Sequence, residues 1–140
     1  MNAAIAAREF ARARIDGDIV DCDHPEYDRL RRVWNAMADR RPAVIVRARS
    51  VADVEKVIAV AARHRALLAV RGGGHSIPGL STCDDGIVLD LSLMNTVTVD
   101  KSAGRADVLA ALCSEISTEP ARPLGLWCRR ASCPTRALPD

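Results

Sequence analysis

With 140 residues, 49% of them apolar, the chain has room for one domain and enough hydrophobic mass for a core. Aromatic residues are only 3%, so Ala, Val, Leu and Ile must fill that core. A net charge of +2 is too balanced to point to nucleic acid or an anionic membrane surface. No apolar run reaches transmembrane length and no apolar h-region opens the chain, so neither a span nor a secretory leader is expected.

The cysteines (Cys22, Cys83, Cys113, Cys128 and Cys133) form no C-x-x-C pair. Cys22 and His24 lie close together but lack a second ligand pair, so no metal site is expected. Scattered reduced thiols suit a cytoplasmic chain.

In chain order, residues 2–14 are rich in Ala and Arg and predict a helix that Gly17 ends. Ile5, Phe10 and Ile15 are its only large apolar groups, so loose docking is expected. Asp23 is placed to cap a second helix with Pro25 in its first turn. Leu30, Val33, Trp34 and Met37 follow the i, i+3, i+4, i+7 rule and predict one apolar stripe, with Trp34 as core filler. Pro42 breaks that helix, and 43–46 reads as a buried strand. Ser50 and Asp53 form a capping box for a helix running to about Arg65. Its predicted inner face is Val54, Val57, Ile58, Ala61 and Ala62, with His64 at the polar end.

Residues 67–70 read as a second buried strand, so strand, helix and strand should form a parallel pair. Asp84-Asp85-Gly86 reads as a turn, 87–91 as a third strand and 96–99 as a fourth. Residues 108–116 fit a helix, and the tail from Pro120 has neither helical nor strand period.

The chemistry concentrates in Arg71-Gly72-Gly73-Gly74-His75-Ser76, directly after the second strand, where α/β sheets place ligands. Three glycines bare the backbone and permit turns that aim successive N–H groups at one anion. Arg71 adds a charge, Ser76 a hydroxyl, and His75 a nucleophile or proton carrier near neutral pH. No Lys follows the glycines, which excludes a Walker loop, and Pro78-Gly79 follow instead of a helix, which excludes a Rossmann fingerprint. Two readings remain at this level: a passive glycine turn, or a phosphate- or nucleotide-binding loop.

The run from Arg71 to Ser81, with Asp84-Asp85-Gly86-Ile87-Val88-Leu89-Asp90-Leu91-Ser92-Leu93-Met94 after it, resembles the FAD-binding domain of berberine-bridge-enzyme-like, FAD-linked oxidoreductases (PCMH type). Tyr27-Asp28, Trp34-Asn35, Arg41-Pro42-Ala43 and Val51-Ala52-Asp53-Val54 fit the same pattern. The resemblance implies an α/β (α+β) fold, the N-terminal part of such a domain. It also implies FAD contacts at Arg71, Gly72, Gly73, Gly74, His75, Ser76, Gly79 and Leu80, with His75 joined through a ring nitrogen to the flavin 8α carbon. The implied activity is flavin-linked hydride abstraction from an alcohol, sugar or amine-type small molecule, with dioxygen as acceptor. The alternative is a non-catalytic phosphate- or nucleotide-binding module.

On this reading residues 1–24 are a helical extension, 25–126 a partial FAD-binding domain and 127–140 an irregular tail. Family members continue into a substrate domain that commonly supplies a tyrosine base, whereas Tyr27 is the only tyrosine here, so this chain alone is expected to be inactive. Family members carry a run like G-L-V-V-P-A-G-V-V-S-H-T-G-V-A-G where this chain has Gly125-Leu126 and then W-C-R-R-A-S-C-P-T-R-A-L-P-D. GC-rich codons for that tail, shifted by one base, encode the family run, so a frameshift near Leu126 is expected. Cys133-Pro134-Thr135 resembles a second flavin-attachment motif, and the frameshift makes that a coincidence.

Overall fold

The computed structural model describes residues 3–100, 102 and 105–108. The elements are α1 (Ala3–Arg12), β1 (Asp18–Asp21), α2 (Tyr27–Leu30), β2 (Val44–Arg47), α3 (Val51–His64), β3 (Leu68–Arg71), β4 (Ile87–Asp90), β5 (Val97–Asp100) and β6 (Arg105–Val108). The expected tail lies outside the described residues. So does the expected helix after residue 108, and Val108 itself ends β6. Among the described residues no helix is long and apolar enough to cross a membrane.

Four strands form one sheet in the order β1-β2-β4-β3, and β5 pairs with β6 antiparallel in a second. β2 and β3 both run parallel to β4, and β1 runs antiparallel to β2. The expected parallel pair is therefore corrected: β2 and β3 are parallel but β4 lies between them. Burial explains the order. All four residues of β4 are buried, as a central strand covered on both faces requires, whereas β3 leaves Val70 exposed at the sheet edge.

Alternation along the strands splits the core into two layers. Val44, Val46, Ile87 and Leu89 face α1 and α3, and pack with Phe10, Val57, Val60 and Ala61. Val20, Ile45, Ala69 and Val88 face the other side, with Tyr27 and Cys83. Phe10 is fully buried, so α1 is anchored more firmly than its sparse apolar content predicts. His64 Nε2 lies 3.4 Å from Glu9 Oε2 and joins α1 to the end of α3. The His64 bond, aided by the charges of His64, Arg12 and Arg63, holds the Glu9 carboxyl below its usual range.

α3 starts as expected: the Ser50 hydroxyl accepts the Asp53 N–H at 3.2 Å. The Asp53 carboxylate also accepts the N–H groups of Asp16 and Arg49 at 3.0 and 3.1 Å, tying the α1–β1 connection to the helix. Asp53, Val57, Val60 and Ala61 form the buried face, while Ile58 and Ala62 turn outward. The inward acid, absent from a purely apolar pattern, accounts for that rotation. Gly17 also has a second role, since a Cβ there would lie 2.0 Å from the Arg47 carbonyl oxygen.

The largest departure lies at residues 31–37. The predicted second helix stops after one turn at Leu30, with Glu26 as N-cap and no side-chain cap bond. Trp34 is 56% and Met37 94% exposed, so neither fills the core. A helix continued through the stripe would need a bond from Trp34 N–H to Leu30 C=O. Both groups are taken elsewhere: Trp34 N–H donates to Gly74 O at 3.1 Å, and Leu30 O accepts from Arg71 Nη1 at 2.6 Å. Tertiary bonds to the glycine loop thus replace helical ones and draw the segment out as a strap.

Candidate functional site

The glycine loop leaves the sheet at the last row of the strand register. That row reads Asp18, Arg47, Asp90, Arg71 across β1, β2, β4 and β3. Opposite charges therefore alternate across the sheet, on the face that carries Val20, Ile45, Val88 and Ala69 two positions away along each strand. Arg71 Nη2 donates to Asp90 Oδ2 at 2.6 Å, and both side chains are buried. Arg47 reaches Asp18 Oδ2 at 3.3 Å and lies 3.9 Å from Asp90 Oδ2. The other Asp90 oxygen accepts the Ser92 N–H at 2.8 Å.

The position of Arg71 changes its expected role. Its guanidinium is committed to Asp90 and to the carbonyls of Leu30 and Arg32. A buried, neutralised cation roots the loop rather than reaching outward from it.

Beyond Arg71 the loop is bound through its carbonyls. Gly74 O accepts from Trp34 N–H, and Ile77 O accepts from Asn35 Nδ2 at 2.7 Å. The Ser76 carbonyl accepts from Gly79 N–H at 3.0 Å, and the Ser76 hydroxyl accepts from Leu80 N–H at 3.0 Å. None of the amides of residues 72–76 donates to an acceptor among the described residues. A run of unspent N–H groups on a glycine backbone is a concentration of positive dipole, the arrangement that receives an anion.

Glycine is required at one further point. Gly79 has φ +72°, and a Cβ there would stand 2.6 Å from the Ala38 Cβ. At Gly73 a Cβ would meet His75 Nδ1 at 2.7 Å, so the imidazole lies over the bare backbone. His75 is exposed, and neither ring nitrogen has a hydrogen-bond partner among the described residues. Ile77 and Leu80 are each 74% exposed beside the loop.

The predicted contacts thus separate into a buried root, Arg71, and a crown, the exposed His75 with the undonated amides around it. Sequence reasoning missed Asp90, the partner that anchors the root, although a lone acid ending an apolar strand was a signal. It also missed the loop-binding role of Asn35. Ser81 Oγ and Thr82 Oγ1, just past the loop, are buried without a hydrogen-bond partner. Tyr27 serves structure: its buried hydroxyl donates to Pro42 O at 2.6 Å, and burial raises its pKa, opposite to the need of a base. Cys83 is likewise buried, its thiol pushed up by burial, with Sγ 3.6 Å from Ile87 O.

Comparison with known proteins joins this geometry to a family. The model of the FAD binding domain matches residues 42–115, which hold β2, α3, β3, the glycine loop, β4, β5 and β6. (R)-6-hydroxynicotine oxidase of Paenarthrobacter nicotinovorans is 34% identical over 112 residues, covering 80% of this chain and 24% of the relative. An FAD-linked oxidoreductase of Aspergillus fumigatus is 42% identical over 83 residues, covering 59% of this chain and 17% of the relative. The crystal structure of 6-hydroxy-D-nicotine oxidase from Arthrobacter nicotinovorans superposes with a TM-score of 0.77 at 33% identity, covering 81% of this chain and 25% of that one. BBE-like 1 of Physcomitrella patens shares the fold, with a TM-score of 0.74 at 21% identity, covering 88% of this chain and 26% of that one. The chain spans about a quarter of the length of the relatives it matches first. Matched along residues 42–115 on the elements that carry the loop, the chain belongs to the FAD-binding domain family.

Proposed function

We propose that this chain supplies the part of a flavin-dependent oxidoreductase that grips the FAD pyrophosphate. The observation carrying the reading is the set of unspent amides at residues 72–76, held open by bonds that use the loop's carbonyls. The residues fit the group. Diphosphate oxygens are acceptors only, and the amides of residues 72–76 are donors. The bare backbone at Gly73 admits close approach, and Ser76 keeps a hydroxyl proton to donate while accepting from Leu80.

In this assignment Arg71 acts indirectly by holding the loop to the sheet, with its charge neutralised by Asp90. His75 is the attachment point for the flavin 8α carbon: accessible, unpartnered and lying beside the amides. Gly72, Gly73 and Gly74 approach the phosphates by backbone. Gly79 fixes the turn that closes the loop, and Leu80 offers apolar surface at its rim. Bound flavin supplies the hydride acceptor; the polypeptide supplies grip, orientation and tether. The substrate class is an alcohol, sugar or amine-type small molecule, with dioxygen as acceptor. A protein of the relatives' length carries that turnover.

The test is to load the purified chain with FAD and denature it in acid. Flavin colour remaining with the precipitated polypeptide, and released in His75→Ala, is the expected result. Colour that washes away from both proteins would refute attachment at His75. Failure to take up FAD at all would refute the pyrophosphate grip.

A further inference from the structure

The loop does not hold its shape alone. The strap from Leu30 to Ala38 touches it at four points. Leu30 and Arg32 give carbonyls to Arg71, Trp34 N–H meets Gly74 O, Asn35 Nδ2 meets Ile77 O, and Ala38 packs against Gly79. Arg31 closes the strap by binding Asp28 at 2.8 Å and also Asp39 and the Arg40 carbonyl. Farther along, Arg41 N–H donates to Asp84 Oδ1 at 2.8 Å. The strap is therefore a fixed wall.

One of the four points is a side chain whose orientation is fully determined. Asn35 Oδ1 accepts the Met37 N–H at 3.1 Å, which leaves Nδ2 as the end facing Ile77 O at 2.7 Å. Its acceptor end is pinned so that its donor end points at the loop. The polarity matters. All peptides here are trans, so each C=O points away from the N–H of the same peptide unit. Drawing Gly74 O onto the strap turns the His75 N–H away from it. The Ile77 carbonyl belongs to the peptide unit of Pro78, which has no N–H, so binding it costs the loop no donor.

We propose that Asn35 is a positioning residue that presets the glycine loop for its anion, so that amide donors are aligned before a ligand arrives. This rests on the reading that the loop grips a diphosphate, but its structural half stands without it. Asn35 acts through Ile77 and touches no ligand itself.

The experiment compares the chain with Asn35→Ala and Asn35→Gln. Ligand-free amide hydrogen exchange at Gly79 and Leu80 and the thermal midpoint are measured first. Titrations with inorganic pyrophosphate and with FAD follow. The expected result is faster exchange at Gly79 and Leu80, the loop's bonded amides, in Asn35→Ala, with the thermal midpoint little changed and both probes bound about tenfold more weakly, the order of one lost hydrogen bond. If Asn35→Ala does not fold, Asn35→Gln, which misplaces the same amide, carries the same readouts. Unchanged loop exchange with unchanged affinity overturns the proposal. So does a loss of affinity that only mirrors general unfolding. If the unmodified chain binds neither probe, the diphosphate reading fails, and the exchange pattern alone then decides whether Asn35 presets the loop.

Discussion

The two ends of the glycine loop differ in every property that governs ligand contact. At one end Arg71 is 6% exposed, ion-paired at 2.6 Å and bonded to two carbonyls. At the other His75 is exposed and has no hydrogen-bond partner among the described residues. Residue type alone makes both look like anion ligands. Their surroundings tie the first to the sheet and leave the second open to solvent. The lesson is that a charge next to a binding loop must be followed to its partner before it is counted for the ligand.

Breaking the root should have the largest effect. Asp90→Ala leaves the Arg71 guanidinium buried and uncompensated, which typically costs about 3–5 kcal/mol. A denaturant titration is expected to show a loss of that size. The double variant Asp90→Leu with Arg71→Met should lose less, since it removes both charges together. A double variant as unstable as Asp90→Ala would mean that the pair is not coupled.

Next comes the turn that closes the crown. Gly79→Ala puts a Cβ at positive φ and against Ala38, with an expected loss of about 1–3 kcal/mol. Adding Ala38→Gly should recover the steric share and leave the conformational share. Full recovery would show that backbone strain contributes nothing.

Asp53 provides a pH test remote from the loop. Its burial raises the carboxyl pKa, but the N–H groups of Asp16, Arg49 and Ser50 and the charge of Lys56 outweigh burial and lower it. A lowered folded pKa gives stability that is complete above the unfolded value, about 3.9. That stability is lost as pH falls through the folded value. Asp53→Asn should be less stable near neutrality and show a shallower loss in acid. Equal acid slopes in the two proteins would remove Asp53 from the account.

The smallest expected change is at the crown. His75→Ala removes an exposed, unpartnered ring and should shift stability by no more than about 0.5 kcal/mol. It should leave anion binding intact and abolish flavin retention after denaturation. A large loss of stability would show that His75 is structural and would erase the contrast between the two ends.

Much of this was legible in the sequence where the cause was local. The apolar runs of β2 and β4 and the Ser50 cap of α3 are each set by neighbours in the chain. The glycine loop was legible because its composition is unusual for a passive bend. What was hidden is non-local. Residues 31–37 carry a helical pattern, but Leu30 O and Trp34 N–H, which a continued helix would pair, go to Arg71 and Gly74, some forty positions away. The Arg71–Asp90 pair depends on the register of β3 against β4, and the central place of β4 depends on its burial on both faces. Spacing along one segment contains none of that.

The central claim is that the loop's free amides take a diphosphate. The most direct measurement is a titration of the isotopically labelled chain with FAD, ADP and riboflavin, following backbone amide signals. The account predicts that FAD and ADP shift the amides of residues 72–76 at similar concentrations, while riboflavin, which lacks phosphate, does not. Shifts caused equally by riboflavin, or shifts by FAD that bypass those amides, would contradict it.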